Sequence, residues 1–335
     1  MRGSPRSIIS AAGLPARARS GSTRARATRV DRTGDILLRA LCALAALLAV
    51  AVIAGIAYEV ISNASSAISR FGLGFLVHTK WAPNFNLFGA APYIYGTIVT
   101  SLIALALAVP IGISIGLYLS TVAHRRVRGV IGPLVETLAA IPSVILGFWG
   151  IIVLGPFLQA HLEPLLHGAF GFLPIFGVPA QTGASVLNAG LIVTIMVVPI
   201  IASISRDLFL TVPRELRDGA TALGATQWEV VRGVMLPSAA SGIVAATFLG
   251  LGRAMGEAIA TTQVIGAGSA IHASLFATGD TLASRIADQY LGAASKLQVS
   301  ALFYLGAILL AIGLIANLGA QAVVRRVQLH MAGAL

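Results

Sequence analysis

The chain has 335 residues, of which 57% are hydrophobic and only 10% are charged, and its mean hydropathy is +0.88. A soluble domain of this composition would have too few polar residues to cover its surface, so the composition predicts an integral membrane protein. The net charge of +11 comes from arginines that cluster in the N-terminal tail and beside apolar runs. That distribution is the orientation signal of a membrane protein and excludes a nucleic-acid-binding face.

Residues 1–35 are rich in Arg, Ser and Ala and contain no acidic residue before Asp31. This composition predicts a disordered cytosolic tail. The alternative is an organelle transit peptide, which is also rich in Arg and poor in acids. The single cysteine, Cys42, lies in the apolar run that follows, and it permits neither an internal disulfide nor a cysteine-based metal site.

Six apolar stretches are long enough to cross a hydrocarbon core of ~30 Å. They lie at about residues 36–58, 94–120, 132–157, 188–210, 236–260 and 299–324. Pro142 lies inside the third stretch and Pro199 inside the fourth. A proline frees a backbone carbonyl and kinks a helix, so both positions are predicted to be kinks that serve as gates.

The distribution of arginine orients these spans. Six spans place the N-terminal tail and residues 121–130, 205–235 and 325–335 on one side of the membrane, and these segments hold most of the arginines. The positive-inside rule therefore predicts that both termini lie in the cytosol. The predicted fold class is an all-α integral membrane protein, with residues 36–335 as one transmembrane domain.

The segment 205–237 is longer than a connection between two spans requires. It contains a predicted helix after Pro213, a turn near Gly224, a second helical stretch and then Leu236-Pro237 at the start of the next span. A helix–turn–helix of this kind is suited to docking a partner protein at the membrane surface. The alternative is an amphipathic helix that only lies in the interface.

This segment resembles the EAA loop of ABC-importer permeases. The shared pattern is acidic-x-Ala-x-x-x-Gly, nine residues, and then aliphatic-x-Leu-Pro. The matching positions are Asp218, Gly219, Ala220, Gly224, Val234, Leu236 and Pro237, with Asp218 where the family has Glu and Gly219 where it has Ala. The resemblance implies that the cytosolic coupling loop, residues 211–235, inserts into a groove on a separate ATPase subunit and transmits its closure to the spans.

Arg253 and Glu257 are ionisable residues inside the fifth predicted span. A charge in a span costs at least ~2.5 kcal/mol and normally lines a cavity or forms an ion pair. Because the two residues are four apart, they share a helical face. One interpretation is an internal neutralising pair. The other is a substrate path, in which Arg253 offers its guanidinium fork to a tetrahedral oxyanion and Glu257 supports Arg253 and accepts a hydrogen bond from a protonated anion. The two interpretations are compatible.

The run Gly250–Glu257, which reads Gly-Leu-Gly-Arg-Ala-Met-Gly-Glu, closely resembles the fifth span of phosphate-importer permeases, and Pro92–Gly112 and Ala140–Gly147 resemble the same family. Of its two permease types, the chain is more similar to PstC than to PstA, and the resemblance covers about residues 30–330. It implies the six-helix ABC-importer permease (MetI-like) fold. It also implies three kinds of partner: an ATP-binding subunit dimer, a PstA-type permease and an extracytoplasmic phosphate-binding protein.

Two further motifs favour ordinary structural roles. Gly112-Ile-Ser-Ile-Gly116 fits GxSxG, but without a nearby His or acid its small residues favour helix packing over a nucleophile. His161, Glu163 and His167 have metal-ligating side chains, but a lone cluster in a predicted external loop, residues 158–187, is more often solvated. The chain contains no GxxxxGK[ST] motif, so we expect no ATP site, no cofactor and no enzyme activity in this polypeptide.

The leading hypothesis is the plasma-membrane permease subunit of an ATP-driven phosphate importer. A permease for another oxyanion, such as molybdate or sulfate, has the same architecture. A secondary anion transporter usually shows internal repeats and more spans, and an intramembrane enzyme needs several converging polar groups. Neither feature is found in the sequence.

Overall fold

The computed structural model describes residues 29–332, with side chains described from residue 34 to residue 326. Most of the predicted N-terminal tail therefore lies outside the described residues, and its disorder stays a prediction. Within the described residues the chain is helical, and its one β pairing is an isolated antiparallel bridge between Ala82 and Leu87.

The helices, in chain order, are α1 (Arg29–Phe71), α2 (Ala91–Val122), α3 (Arg125–Ala140), α4 (Ser143–Phe170), α5 (Val186–Thr211), α6 (Arg214–Ala222), α7 (Gln227–Gly256), α8 (Ile259–Ile265), α9 (Leu282–Gln289) and α10 (Lys296–Ala332). Among the described residues, six of these helices are long and apolar enough to cross a membrane: α1, α2, α4, α5, α7 and α10. The prediction of six spans is confirmed.

The chain divides into two compact units at Gly55. In the first unit, the described part of α1 presents exposed side chains throughout, from Gly34 to Gly55. The second unit begins at Ile56 and holds the remaining helices. Its helices α2 and α5 pack together around buried residues of both, including Ala104, Ala108, Val193 and Val197.

The third span begins later than the sequence predicts. In place of one helix over residues 132–157, α3 ends at Ala140 and α4 begins at Ser143. The cause is Pro142, because a proline pushes the preceding residue into extended backbone, and Ile141 has φ −65° and ψ 125°. From there α4 continues to Phe170, so the first part of the predicted external loop 158–187 is helical.

Small residues bring α2 and α5 together. A Cβ atom on Gly112 would lie 2.8 Å from Ile201, and one on Gly116 would lie 2.8 Å from the backbone nitrogen of Arg206. The hydroxyl of Ser114 donates to the carbonyl of Pro110 at 2.7 Å. The GxSxG motif is thus a packing motif of α2, as small residues at helix interfaces generally are.

One end of the second unit holds the arginine-rich segments 121–130 and 205–235, and we call it the arginine-rich end. Here Phe209 near the end of α5 packs with Val230 and Met235 of α7 in a buried cluster that Leu117 of α2 also contacts. Arg206 forms ion pairs with Glu136 at 2.9 Å and with Asp207 at 3.1 Å.

At the opposite end, the loop between α8 and α9 is fastened to α2. Asp280 forms a buried ion pair with Arg285 at 2.9 Å, and the Arg285 guanidinium lies 4.7 Å from the ring centroid of Tyr93. The backbone N–H of Leu282 donates to the Thr97 hydroxyl at 2.9 Å. Burial raises the pKa of Asp280 from 3.8 to about 6, although the positive charge of Arg285 opposes this shift.

We predict that stability depends on the protonation of Asp280. Because the pKa is higher in the folded protein, this carboxyl contributes stability that is full below about pH 4 and is lost as the pH rises through about 6. On lowering the pH from 8 to 5, the wild-type protein should gain about 1.4 kcal/mol relative to Asp280→Asn. The melting temperatures of both proteins in detergent, measured across this range, test it. A difference in melting temperature that does not change with pH would contradict the assignment.

Candidate functional site

The fifth span is interrupted at the predicted substrate position. The sequence predicts one apolar helix over residues 236–260, but α7 ends at Gly256 and Glu257 takes an extended conformation with φ −71° and ψ 113°. A new helix, α8, starts at Ile259. Broken helices at membrane depth occur where they are enclosed by protein or line a cavity, because their freed backbone groups need partners there.

Glu257 supplies one of these partners. Its Oε1 accepts a hydrogen bond from the backbone N–H of Ala260 at 3.2 Å, inside the first turn of α8. Its Oε2 lies 3.3 Å from Nη2 of Arg253. One buried carboxylate therefore joins the start of α8 to the last turn of α7 and also orients the arginine.

The ion pair is strongly asymmetric. The side chain of Glu257 is 5% exposed, whereas that of Arg253 is 48% exposed. A pair whose only role is mutual neutralisation would be expected to bury both charges. Here the carboxylate is enclosed and the guanidinium faces open space, and among the described residues it has no second carboxylate partner.

Arg253 lines two cavities. The larger, of about 1110 Å³, lies between α7 and α10 and is bounded by Gly252, Gly256 and Gly313 near Arg253. The smaller cavity, of about 320 Å³, lies between Arg253 and the end of α3. The guanidinium can therefore meet a hydrated anion from either cavity.

The two predicted kink positions differ in kind. Pro142 separates α3 from α4, and Ile141 beside it lines the smaller cavity with Arg253. Pro199 lies inside α5, which continues without a break from Val186 to Thr211. The next residue, Ile200, lines both cavities. Both prolines thus adjoin the space around Arg253, although only Pro142 interrupts a helix.

The predicted coupling loop folds into α6 and a tight turn. Asp218 and Gly219 are exposed on α6, and Ala220 packs against the buried cluster that holds Val230. Gly224 follows with φ +90°, a left-handed conformation that favours glycine. Thr226 then forms a capping box with Glu229 and starts α7. The turn is therefore set by local sequence.

The helix that contains Leu236 and Pro237 starts earlier than the sequence predicts. Leu236-Pro237 was expected to open the fifth span, but α7 already begins at Gln227. A single π-helical turn over Val231–Met235 precedes Pro237. Such a wide turn removes the need for the hydrogen bond that proline cannot donate. Motions of the coupling loop can therefore pass along one helix to Arg253.

Apolar side chains are exposed on this loop. Leu216 is 53% exposed, Leu223 is 92% exposed and Trp228 is 65% exposed. They project from a polar segment in which few residues are buried. An exposed apolar patch with polar surroundings is typical of a protein interaction surface.

The three candidate metal ligands of the predicted external loop form hydrogen bonds with separate protein groups. Glu163 is fully buried and accepts hydrogen bonds from the backbone N–H of Ala180 at 3.0 Å and from the Ser185 hydroxyl at 3.3 Å. Nδ1 of His167 lies 2.9 Å from the carbonyl oxygen of Phe176. Among the described residues there is no group of three such side chains close enough to hold a metal ion.

Two features of the structure escaped the sequence reasoning. The end of α7 at Gly256 was one, although the pairing of Gly252 with Gly256 was a signal that the helix is weak there. The buried Asp280–Arg285 pair was the other.

Comparison with known families decides what kind of protein carries this site. The family model described as "Binding-protein-dependent transport system inner membrane component" matches residues 108–329. The chain belongs to this family. The matched range includes α7, the predicted coupling loop and the residues that line the two cavities. The chain is accordingly a multi-pass membrane component of a transport system.

Relatives of this permease also support the resemblance found in the sequence. The "Phosphate transport system permease protein PstC" of Mesorhizobium japonicum is 41% identical over 282 residues, which cover 83% of this chain and 86% of that protein. The "Phosphate transport system permease protein PstC 1" of Mycobacterium tuberculosis is 37% identical over 327 residues, which cover 90% of this chain and 96% of that protein. The resemblance to phosphate-importer permeases of the PstC type is confirmed.

The permease fold is shared with more distant proteins. A chain from the crystal structure of a bacterial alginate ABC transporter in complex with an alginate pentasaccharide-bound periplasmic protein matches with a TM-score of 0.57. It is 16% identical, and the match covers 90% of this chain and 98% of that one. This likeness confirms the predicted all-α, ABC-importer permease fold.

We predict that Gly224 is required for the geometry of the coupling loop. Gly224→Ala should destabilise the folded protein by about 1 kcal/mol, because a side chain is strained at φ +90°. Gly219→Ala is the matched control. It lies inside α6 with open space around its Cβ position, so the same change should be neutral or stabilising there. Melting temperatures in detergent compare the two variants, and equal effects would refute the assignment.

Proposed function

We propose that the chain is the membrane-spanning permease subunit of an ATP-driven importer of inorganic phosphate. The observation that carries the proposal is the half-exposed Arg253, which is held by the buried Glu257 at a helix break and opens onto two cavities. Relatives that are about 41% identical and are named as phosphate transport permeases favour phosphate over other oxyanions.

The residues supply a binding chemistry for this anion. A guanidinium presents its N–H groups in a planar fork that matches two oxygens of a tetrahedral oxyanion. Phosphate entering the cavity competes with Glu257 for Arg253. Because phosphate carries a proton near neutral pH, the released Oε2 of Glu257 can accept a hydrogen bond from it, while Oε1 stays bound to Ala260. A fully deprotonated anion would face the same carboxylate without that compensation.

The orientation follows from charge. The arginine-rich end lies in the cytosol together with both chain termini, as the positive-inside rule requires for a protein of the plasma membrane. The partners are a dimer of ATP-binding subunits at the coupling loop, an extracytoplasmic phosphate-binding protein at the opposite end and a PstA-type permease beside the chain. ATP binds to the partner subunits, because this sequence lacks a phosphate-binding loop.

Asp218, Gly219, Ala220 and Gly224 shape the docking surface, and Leu236 and Pro237 connect it to α7. Ala220 joins the loop to the cluster around Val230, and α7 continues from there to Arg253. Movement imposed by the ATP-binding subunits thus reaches the anion site through one helix. Pro142 and Pro199 adjoin the same site and act as gate positions.

We predict that Arg253→Gln lowers phosphate uptake at least tenfold, because hydrogen bonds to a charged group are worth about 1.5–3 kcal/mol. Arg253→Lys keeps the charge but loses the fork, so its rate should be intermediate. Labelled phosphate uptake is measured in cells that lack their own high-affinity importer and carry this chain with its partner subunits. Arg70→Gln is the control, since Arg70 is an exposed arginine at the end of α1 and far from the site in sequence.

The same cells identify the anion. Uptake that survives excess sulfate and molybdate supports phosphate. Uptake blocked by either competitor keeps the permease architecture and changes the substrate. Wild-type rates in Arg253→Gln cells would disprove the role of Arg253.

We also predict that Leu223→Asp weakens association with the ATP-binding subunits. Leu223 is 92% exposed on the coupling loop, and a buried carboxylate in the interface would lack a partner. Leu291→Asp is the control, because Leu291 is 95% exposed after α9 at the opposite end. Co-purification of the ATP-binding subunit from detergent extracts should fall in the first variant only. Equal retention in both variants would place the docking surface elsewhere.

A further inference from the structure

The larger cavity has a polar wall that the sequence motifs do not include. Asn317, Gln321 and Arg325 are spaced four residues apart on α10, and all three line the cavity that also holds Arg253. The rest of the wall is apolar, with Phe248 and Leu249 of α7 among its members. The polar groups therefore form one line on an otherwise hydrophobic surface.

This line leads from Arg253 toward the arginine-rich end. The lining runs from Ala245 to Gly256 on α7 and from Leu309 to Arg325 on α10, and Arg325 belongs to the arginine-rich segment 325–335. The step from Gly313 to Arg325 rises about 18 Å at 1.5 Å per residue. The lined face of α10 is therefore longer than half of a ~30 Å hydrocarbon core.

Amide side chains are unusual inside a membrane span and need a structural or functional explanation. Asn317 and Gln321 lie toward the C-terminal end of the predicted sixth span, residues 299–324. A side-chain amide without a hydrogen-bond partner is costly in hydrocarbon. Such residues normally face a water-filled path or the interior of a bundle. Here they face the cavity, next to an arginine that is also exposed to it.

We propose that Asn317, Gln321 and Arg325 form an exit ladder along which the anion leaves Arg253 for the cytosol. The inference rests on the proposed function and deepens it. Each amide offers N–H donors to phosphate oxygens and a carbonyl acceptor to a phosphate hydroxyl. Arg325 adds a positive charge at the cytosolic mouth, where it draws the anion out of the membrane. The two amides are neutral donors and bind the anion less strongly than the Arg253 guanidinium, so the anion can move on.

The chemistry predicts selectivity as well as rate. A carbonyl acceptor stabilises an anion that carries a hydroxyl and disfavours one that carries none, since the acceptor is then left facing bare oxygens. The two amides therefore favour phosphate over sulfate on the way out. Arg325 contributes charge alone and does not distinguish them.

The test uses the complete complex in proteoliposomes, with phosphate uptake measured against binding-protein-stimulated ATP hydrolysis. Asn317→Leu should lower the maximal uptake rate about tenfold, and Asn317→Asp should lower it further because a carboxylate repels the anion. Asn317→Gln keeps the amide and should stay close to wild type. The same order is expected for Gln321→Met, Gln321→Glu and Gln321→Asn.

The exchange Asn317→Leu with Leu318→Asn is the control. It keeps the composition of α10 but moves the amide to a residue that does not line the cavity, so uptake should remain low.

The order of these variants separates the ladder from a structural role. If the face only packs against the partner permease, uptake should fall only in variants that also lose the complex. That result overturns the proposal, as does wild-type uptake in the double variant Asn317→Leu/Gln321→Met with the complex intact. If the wild-type complex imports another oxyanion and not phosphate, the proposed function fails, and the same variants measured with that anion still decide the ladder.

Discussion

The structure depends on one charged pair placed at the end of a helix inside the membrane. A lone arginine in a span is costly, and Glu257 offsets that cost while remaining almost fully buried. The same carboxylate holds the first turn of α8 through Ala260. If α7 continued as a regular helix, the Glu257 carboxylate could not contact both Arg253 and the backbone N–H of Ala260. The break at Gly256, the position of α8 and the exposure of Arg253 therefore belong to one arrangement.

In the rest of the second unit, closely packed helices and one open cavity surround this ion pair and helix break. Close packing at Gly112 and Gly116 joins α2 to α5, and the Asp280–Arg285 pair fastens the far loop beside Tyr93. The space between α7 and α10 is left open instead, with Arg253 on its wall. Rigid helix pairs on either side of an open cavity are suited to alternating access, in which one bundle moves against another around a fixed site.

Much of this was predictable from the sequence, because hydropathy over some twenty residues reports directly on membrane spans. The sequence singled out Arg253 and Glu257 from their chemistry and spacing, and it singled out the coupling loop from its resemblance to the EAA loop; their roles stay predictions. The helix ends were not predictable, because they depend on single residues: Pro142 breaks a predicted span, whereas Pro199 and Pro237 lie inside continuous helices. Hydropathy cannot distinguish these cases, since a π-turn or a neighbouring helix decides whether a proline is tolerated. The cavity wall on α10 was missed because its two amides, Asn317 and Gln321, are isolated among small and apolar residues.

If Arg253 makes the open cavity an anion site, a thiol on the cavity wall should react faster with an anionic reagent than with a cationic one. With Cys42 replaced by Ser, Ala316→Cys places one thiol on the cavity wall. Its rates with an anionic and a cationic methanethiosulfonate are each divided by the rate with a free thiol. We expect a preference for the anionic reagent that Arg253→Gln abolishes and added salt weakens. A cavity thiol that prefers neither reagent, or a preference that survives Arg253→Gln, would contradict it.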